Sequence, residues 1–161
     1  MRVRDVREKI VDGDAVRALA DDIRASGRTI ATTNGCFDIV HRGHVEYLQE
    51  AARHADVLIV GVNSDESVRR LKGPTRPVND ERSRALVLAA LEFVDYCVIF
   101  GEQTPVELLG RIRPHVHVKG GDYRPDDLPE KVVVEAGGGR IVIVGLVDGF
   151  STTGIIGRMS G

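Results

Sequence analysis

The chain has 161 residues, 42% apolar and 29% charged, with a formal net charge of −2, which is the size and balance of one soluble globular domain. No long block of one sign calls for nucleic acid or an anionic membrane, and 4% aromatics without Trp leave few platforms for stacking exposed bases. The opening "MRVRDVREKIVDGD" is charged where a secretory signal is apolar, no run reaches bilayer-spanning length, and two cysteines cannot build a disulfide framework; a cytoplasmic enzyme or binding protein is expected.

Along the chain, Val16, Leu19, Ala20 and Ile23 fall on one helical face. "TIATT" (29–33) then reads as a strand entering the polar loop "NGCFDIVHRGH", and a helix follows from about His44 to His54. "VLIVGVN" (57–63) is apolar almost throughout, as in a strand buried on both faces of a parallel sheet. "LKGPTRPVN" (71–79) reads as one long, proline-punctuated loop able to act as a mobile flap. A helix opening at Asn79 should turn Leu86, Ala90 and Leu91 inward. There follow strand "YCVIF" (96–100), a helix begun by Thr104 and Pro105, strand "VHVK" (116–119), a helix near 126–136, strand "RIVIVGL" (140–146) and a short last helix after Ser151. Five such alternations predict an α/β single domain: a Rossmann-like, doubly wound, five-stranded parallel sheet with its ligand beyond the carboxyl ends of the strands. The polar loops at 34–44, 63–65, 119–123 and 148–153 all fall at those ends.

The turn after the first strand lacks the G-x-G-x-x-G of dinucleotide folds, and no Walker loop occurs. His41-Arg42-Gly43-His44 instead stands at a helix mouth, where free amides and the dipole attract phosphate. Two imidazoles can donate to the oxygens of one phosphorus centre, and Gly43 admits the backbone closely. The same H-x-x-H also suits a helix cap beside an ordinary surface histidine, or, with Cys36, an incomplete zinc site. Ser151, Thr152 and Thr153 open the final helix, and capping accounts for one of the three. Lys72 and Lys119 either add positive charge to the crevice or are solvated surface residues. Asp122 in "KGGDY" is a candidate carboxylate for a divalent cation, and Asp38 for orienting a histidine or binding ligand hydroxyls.

With "NGCFDIVHRGH" and "FSTT", the chain resembles the cytidylyltransferase-like nucleotidyltransferase superfamily, from about Lys9 onward. "TNGCFDIVHRGHVEYL", "VNSDESVRRLKGPTRPVN", "VKGGDY" and "DGFSTT" in order are similar to the adenylyltransferase domain that makes ADP-heptose from D-glycero-β-D-manno-heptose 1-phosphate. The resemblance implies a nucleotidyltransferase domain over 1–161, with 1–8 a flexible N-terminus, transferring AMP from ATP with Mg2+. It implies His41, His44 and Lys72 as catalytic residues. Asn34, Gly35, Cys36, Phe37, Asp38 and Gly43 would line the nucleotide site, with Ser151, Thr152 and Thr153 on its β and γ phosphates. Lys119, Gly120 and Asp122 would lie at the sugar phosphate, Asp122 also at the metal. In better-known relatives the domain follows a sugar kinase; none precedes it here, which implies a separate heptose kinase. A homodimer is expected, with no nucleic-acid or membrane partner. Glycerol-3-phosphate cytidylyltransferase, using CTP, is the alternative, although its "MGDDW"-like loop differs from "KGGDY". A non-catalytic nucleotide-binding module is the third reading. Some relatives carry an arginine where Leu146 or Ile156 stands here; Arg158 is the candidate substitute.

Overall fold

In the computed structural model, which describes residues 3–146 and 148–161, the apolar runs become six strands: β1 (Ile10–Val11), β2 (Ile30–Gly35), β3 (Val57–Asn63), β4 (Tyr96–Phe100), β5 (Val116–Gly120) and β6 (Arg140–Val144). Met1 and Arg2, the first positions of the expected flexible N-terminus, and Val147 lie outside the described residues. The helices are α1 (Val16–Ala25), α2 (Arg42–Ala52), α3 (Asp65–Lys72), α4 (Glu81–Ala89), α5 (Val106–Ile112), α6 (Lys131–Ala136) and α7 (Thr152–Met159). Short 3-10 turns occupy Val6–Lys9 and Pro125–Asp127.

All strands run parallel in the order β1-β4-β3-β2-β5-β6. Five were expected; the sixth, β1, has two residues, too few to show a periodicity. It is held on the sheet edge by pairing Ile10 with Cys97, while Lys9 Nζ donates to the carbonyls of Val94 (2.8 Å) and Leu91 (3.3 Å).

Alternate residues of the central strands feed two cores, one on each face of the sheet. On β3, Val57 and Ile59 join Val16, Ala20 and Ile23 of α1 and Leu108 and Ile112 of α5. Leu58, Val60 and Val62 instead pack with Leu48 of α2 and Ala85 and Leu88 of α4. Burial on both sides explains the unbroken apolar run. The order of chain entry reverses between β2 and β5: the connection after β2 runs to β3 on one side, and α5 carries the chain from β4 across to β5 on the other. Such a reversal opens a crevice at the carboxyl edge.

Three local expectations change. Helix α4 buries Arg84, Ala85, Leu88 and Ala89, not the face with Leu86, Ala90 and Leu91; Ala90 is exposed and the two leucines half-buried. A buried arginine at the head of that stripe disguised it. The stretch 71–79 is not one loop, because Ser64 caps the amide of Ser67 and α3 extends through Leu71 and Lys72. The helix expected over 126–136 divides at Pro129, whose missing N–H and restriction on its neighbour favour the 3-10 turn before it.

Candidate functional site

The loops after β2, β3, β4, β5 and β6 line a cavity of about 690 Å³, within the range of small-molecule sites. It is lined by Asn34, Gly35, Cys36, Phe37, Asp38, His41, Gly43, His44, Lys72, Lys119, Gly120, Ser151, Thr152 and Thr153, so the candidate site residues named above meet there except Asp122 and Arg158. Asp122 is exposed and stands outside that lining.

Its centre is the mouth of α2. His41 is the N-cap residue, with extended backbone (φ −135°) and no side-chain cap. The amides of Arg42, Gly43 and His44 therefore have no intrahelical partner and point out at the dipole's positive end. The His41 and His44 rings stack at 3.8 Å with 22° between planes, and Phe37, held at φ +47°, meets His44 edge-on at 5.2 Å. Both Nδ1 atoms are buried without a hydrogen-bond partner. Burial lowers the pKa of both rings, and the neighbouring His41 helps bring His44 down to about 4. Both are neutral at pH 7, each with one donor and one acceptor nitrogen. A Cβ on Gly43 would lie 3.0 Å from the His41 ring and from Phe150 Cβ, so only glycine leaves the stack undisturbed.

At the mouth of α7 the three hydroxyls part company. Ser151 Oγ accepts from the Gly154 amide (2.9 Å), and Thr152 Oγ1 donates to the Ile39 carbonyl (3.2 Å), tying α7 to the histidine loop. Thr153 makes no side-chain hydrogen bond among the described residues.

Asp38 is engaged on its own protein. Its carboxylate accepts from Arg76 Nε (2.7 Å), the Val78 amide (2.9 Å) and the Asn79 amide (2.9 Å), fastening the far end of the expected flap. Burial pushes the Asp38 carboxyl up, but these bonds together outweigh it and hold it below its usual range. Arg84 Nη1 donates to the Cys36 and Asn63 carbonyls (2.7 Å each), Nε to Asn79 (2.9 Å) and Nη2 to Asp65 Oδ1 (2.8 Å). One buried guanidinium thus joins the ends of β2 and β3 to the start of α4. Lys72 makes no ion pair among the described residues and projects its charge into the cavity. Burial raises the Cys36 thiol, which keeps it protonated.

Lys119 is paired rather than free: its Nζ lies 3.0 Å from Glu130 Oε1. Nothing in the motifs pointed to Glu130, and a charged residue beside a proline carries no signal of burial. Among the described residues no three His, Cys, Asp or Glu side chains converge as a metal cluster does. With Asp38 bonded to the flap, Glu130 to Lys119 and Asp122 outside, the donor set does not fit a protein-held Mg2+.

Residues 32–155 match the cytidylyltransferase-like family model, which takes in β2 through the mouth of α7. The chain belongs to the cytidylyltransferase-like family. This family member is 51% identical to the bifunctional protein HldE of Syntrophotalea carbinolica over 146 residues, 91% of the chain and 30% of that relative. It is 53% identical to the bifunctional protein HldE of Bradyrhizobium diazoefficiens over 155 residues, 96% of the chain and 31% of the relative. The chain thus spans about a third of the length of these curated relatives. Among solved structures it resembles a lipopolysaccharide core biosynthesis protein from Thermoplasma volcanium, with a TM-score of 0.62 and 28% identity over 75% of this chain and 98% of that one. Pantoate-beta-alanine ligase from Francisella tularensis shares the fold (TM-score 0.59, 14% identity, 91% of this chain and 75% of that one). None of the described helices is long and apolar enough to cross a membrane.

Proposed function

We propose that this cytidylyltransferase-like chain is an adenylyltransferase that joins ATP and heptose 1-phosphate to give ADP-heptose and pyrophosphate. The observation that carries the reading is the uncapped mouth of α2 with its stacked, neutral His41–His44 pair facing a nucleotide-sized cavity. Half-identity to HldE proteins over nearly the whole chain supports the heptose assignment over the glycerol phosphate one.

In this scheme an oxygen of the sugar phosphate attacks the α-phosphorus of ATP in line, one P–O bond forms and the bond to the departing pyrophosphate breaks. The protein supplies no nucleophile. His41 and His44, with the free amides of α2, hold the α-phosphate and stabilise the charge that grows on it. Lys72 adds positive charge from the end of α3. Asn34, Gly35, Cys36 and Phe37 line the nucleotide pocket, Gly43 allows close approach, and Asp38 shapes it through the flap. Ser151, Thr152 and Thr153 take the β and γ phosphates at the mouth of α7. Gly120 leaves room at the end of β5. Mg2+ is expected to arrive on the ATP phosphates, and no side chain or step is assigned to it. Holding both substrates in line removes roughly 7–11 kcal/mol of barrier in favourable cases, so no strong general base is required.

The acceptor has to come from a sugar kinase, and the chain is expected to work in the cytoplasm, where ATP is available, as a homodimer. Pyrophosphate release with Mg2+, offering heptose 1-phosphate or glycerol 3-phosphate with ATP, CTP, GTP or UTP, tests the reading. Release confined to ATP with heptose 1-phosphate is the expected result. Preference for CTP with glycerol 3-phosphate would replace it with the cytidylyltransferase reading, and nucleotide binding without release in any pairing would make the chain a binding module.

A further inference from the structure

The β5–β6 flank of the cavity holds a charged group that phosphate transfer does not use. Glu130, the N-cap residue of α6, is 1% exposed and yet lines the cavity. Its Oε1 lies 3.0 Å from Lys119 Nζ and 3.7 Å from His117 Nε2. Oε1 is held by the Lys119 ammonium as an ion pair, whereas His117 Nε2 lies too far from it for a hydrogen bond and stays without a partner among the described residues, in a buried place where such groups normally find one. Behind them His117 Nδ1 is anchored 2.9 Å from Thr32 Oγ1. Burial pushes the Glu130 carboxyl up, but the contacts to His117 and the Lys119 ammonium together outweigh it and hold it at about 2. The group is therefore an anion throughout the working pH range, held in place by the Lys119 ammonium, and its carboxylate keeps lone pairs for a further donor.

An anionic acceptor repels the phosphates of either substrate, so this corner takes a neutral part of one of them. Its other walls are mostly apolar, Leu128, Pro129 and Leu146 beside Asp127, with the Tyr123 ring 5.8 Å from Lys119 Nζ. The opposite flank, with Lys72, Arg76, Gln103 and Thr104, is polar and cationic. That division assigns the phosphorylated polyol to the β3–β4 side and the planar base to this one. On the ring edge adenine presents an amino donor beside a nitrogen acceptor, matching a carboxylate beside an ammonium. Hypoxanthine and guanine place a keto oxygen where the amino group stands, against the carboxylate. We propose that the Lys119–Glu130 pair reads the amino edge of the nucleobase, Glu130 accepting from the exocyclic amine and Lys119 donating to the neighbouring ring nitrogen. This rests on the reading of ATP as the nucleotide substrate, and it replaces the sugar-phosphate role first expected of Lys119.

The test compares ATP with ITP. For the wild-type protein kcat/KM should favour ATP by roughly 10- to 100-fold, the range set by one hydrogen bond to a charged group. In Glu130→Gln that ratio should fall to within about 3-fold of unity, mainly through the nucleotide KM, with the KM for heptose 1-phosphate unmoved. Purine riboside triphosphate, which lacks the amine, should behave as ITP does with the wild type, a readout that survives if the variant fails to fold. An unchanged ATP/ITP ratio in a folded variant overturns the inference, as does wild-type indifference to the amine, or a variant whose sugar-phosphate KM moves instead. Equilibrium binding of ATP and ITP, which needs no acceptor, separates the two failures: a preference for ATP lost in Glu130→Gln keeps the inference even if heptose 1-phosphate is never turned over.

Discussion

The two flanks of the crevice are held by different physics. On the β3–β4 side Arg84, 1% exposed, and Asp38 satisfy seven polar partners between them, so the strand ends, the start of α4 and the tip of the flap form one cross-linked body. On the β5–β6 side α7 buries no residue, Leu146 is 63% and Met159 77% exposed, and Thr152 provides the single side-chain hydrogen bond from α7 to the rest of the described chain. The contrast suits two tasks. On the proposed adenylyltransferase reading, the rigid flank would fix the reacting centre in advance, whereas the loosely held helix would adjust as phosphates enter and leave.

Removing Arg84 should do most to erase the difference. Arg84→Ala strips the donors from three carbonyls and unpairs the half-buried Asp65, and at about 1–3 kcal/mol for each buried group left without a partner the loss should be at least about 3 kcal/mol. Urea unfolding should register a loss of that order. A loss under about 1 kcal/mol would mean that strand packing, rather than the guanidinium, holds this flank.

Where the flanks meet, His44→Ala should lower kcat by about 10²–10³-fold, the effect of losing one donor at a charged transition state, with the melting curve little changed. The histidine pair also has a pH signature. In the folded protein burial, helped by His41, takes His44 to about 4, against an unfolded value of 6.5, and His41 is lowered as well. Between those values the unfolded chain binds more protons, so the histidines' part of the stability is complete above 6.5 and is lost as pH falls toward 4. NMR titration should find the His44 midpoint near 4 in the free protein and higher with a triphosphate bound, because an adjacent anion favours the imidazolium. A midpoint that ignores the triphosphate would remove His44 from the phosphate site.

These residues also show where sequence stops informing. The parallel sheet was legible because β3 is apolar on both faces, and the histidine loop and Ser151–Thr153 were legible because each motif lies wholly at one strand end. Arg84 was not, because an arginine on a helix reads as solvated until Cys36, Asn63 and Asn79 are folded around it. Asp38 looked like a ligand contact, and only the return of the chain at Arg76 and Asn79, about forty residues later, reveals its partners. Glu130 was hidden in the same way behind Lys119 and His117. Local strings encode elements and caps, whereas the partner of a buried charge is decided by which loops the sheet order brings together.

Asp38→Asn retains the shape of that latch and removes its charge. The Arg76 contact weakens and one amide-bonded oxygen becomes a donor facing donors, so stability should fall by about 1.5–3 kcal/mol, the scale of hydrogen bonds to a charged group. The wild-type contribution is fully present above the unfolded carboxyl's pKa and is lost as pH falls through the lowered folded one. The difference between wild type and Asp38→Asn should therefore shrink in acid. Hydrogen exchange at Val78 and Asn79 should quicken in the variant while α7 is unaffected, and a change that spread to α7 would mean that the two flanks are mechanically one.

The smallest effect belongs to the other side. Thr152→Val removes the 3.2 Å bond to Ile39 and leaves α7 attached by half-buried apolar contacts alone. One neutral hydrogen bond at a partly exposed site contributes about 0.5–1.5 kcal/mol, so the melting temperature should move little. Exchange of the α7 amides should nevertheless accelerate, because this helix has no buried anchor to take over. If the loose attachment serves nucleotide exchange, the variant should release product no more slowly than wild type while its KM for ATP rises. An unaltered KM with faster exchange would show that α7 is loose for reasons unrelated to the phosphates, since a helix mouth that binds them must lose affinity when its orientation is freed.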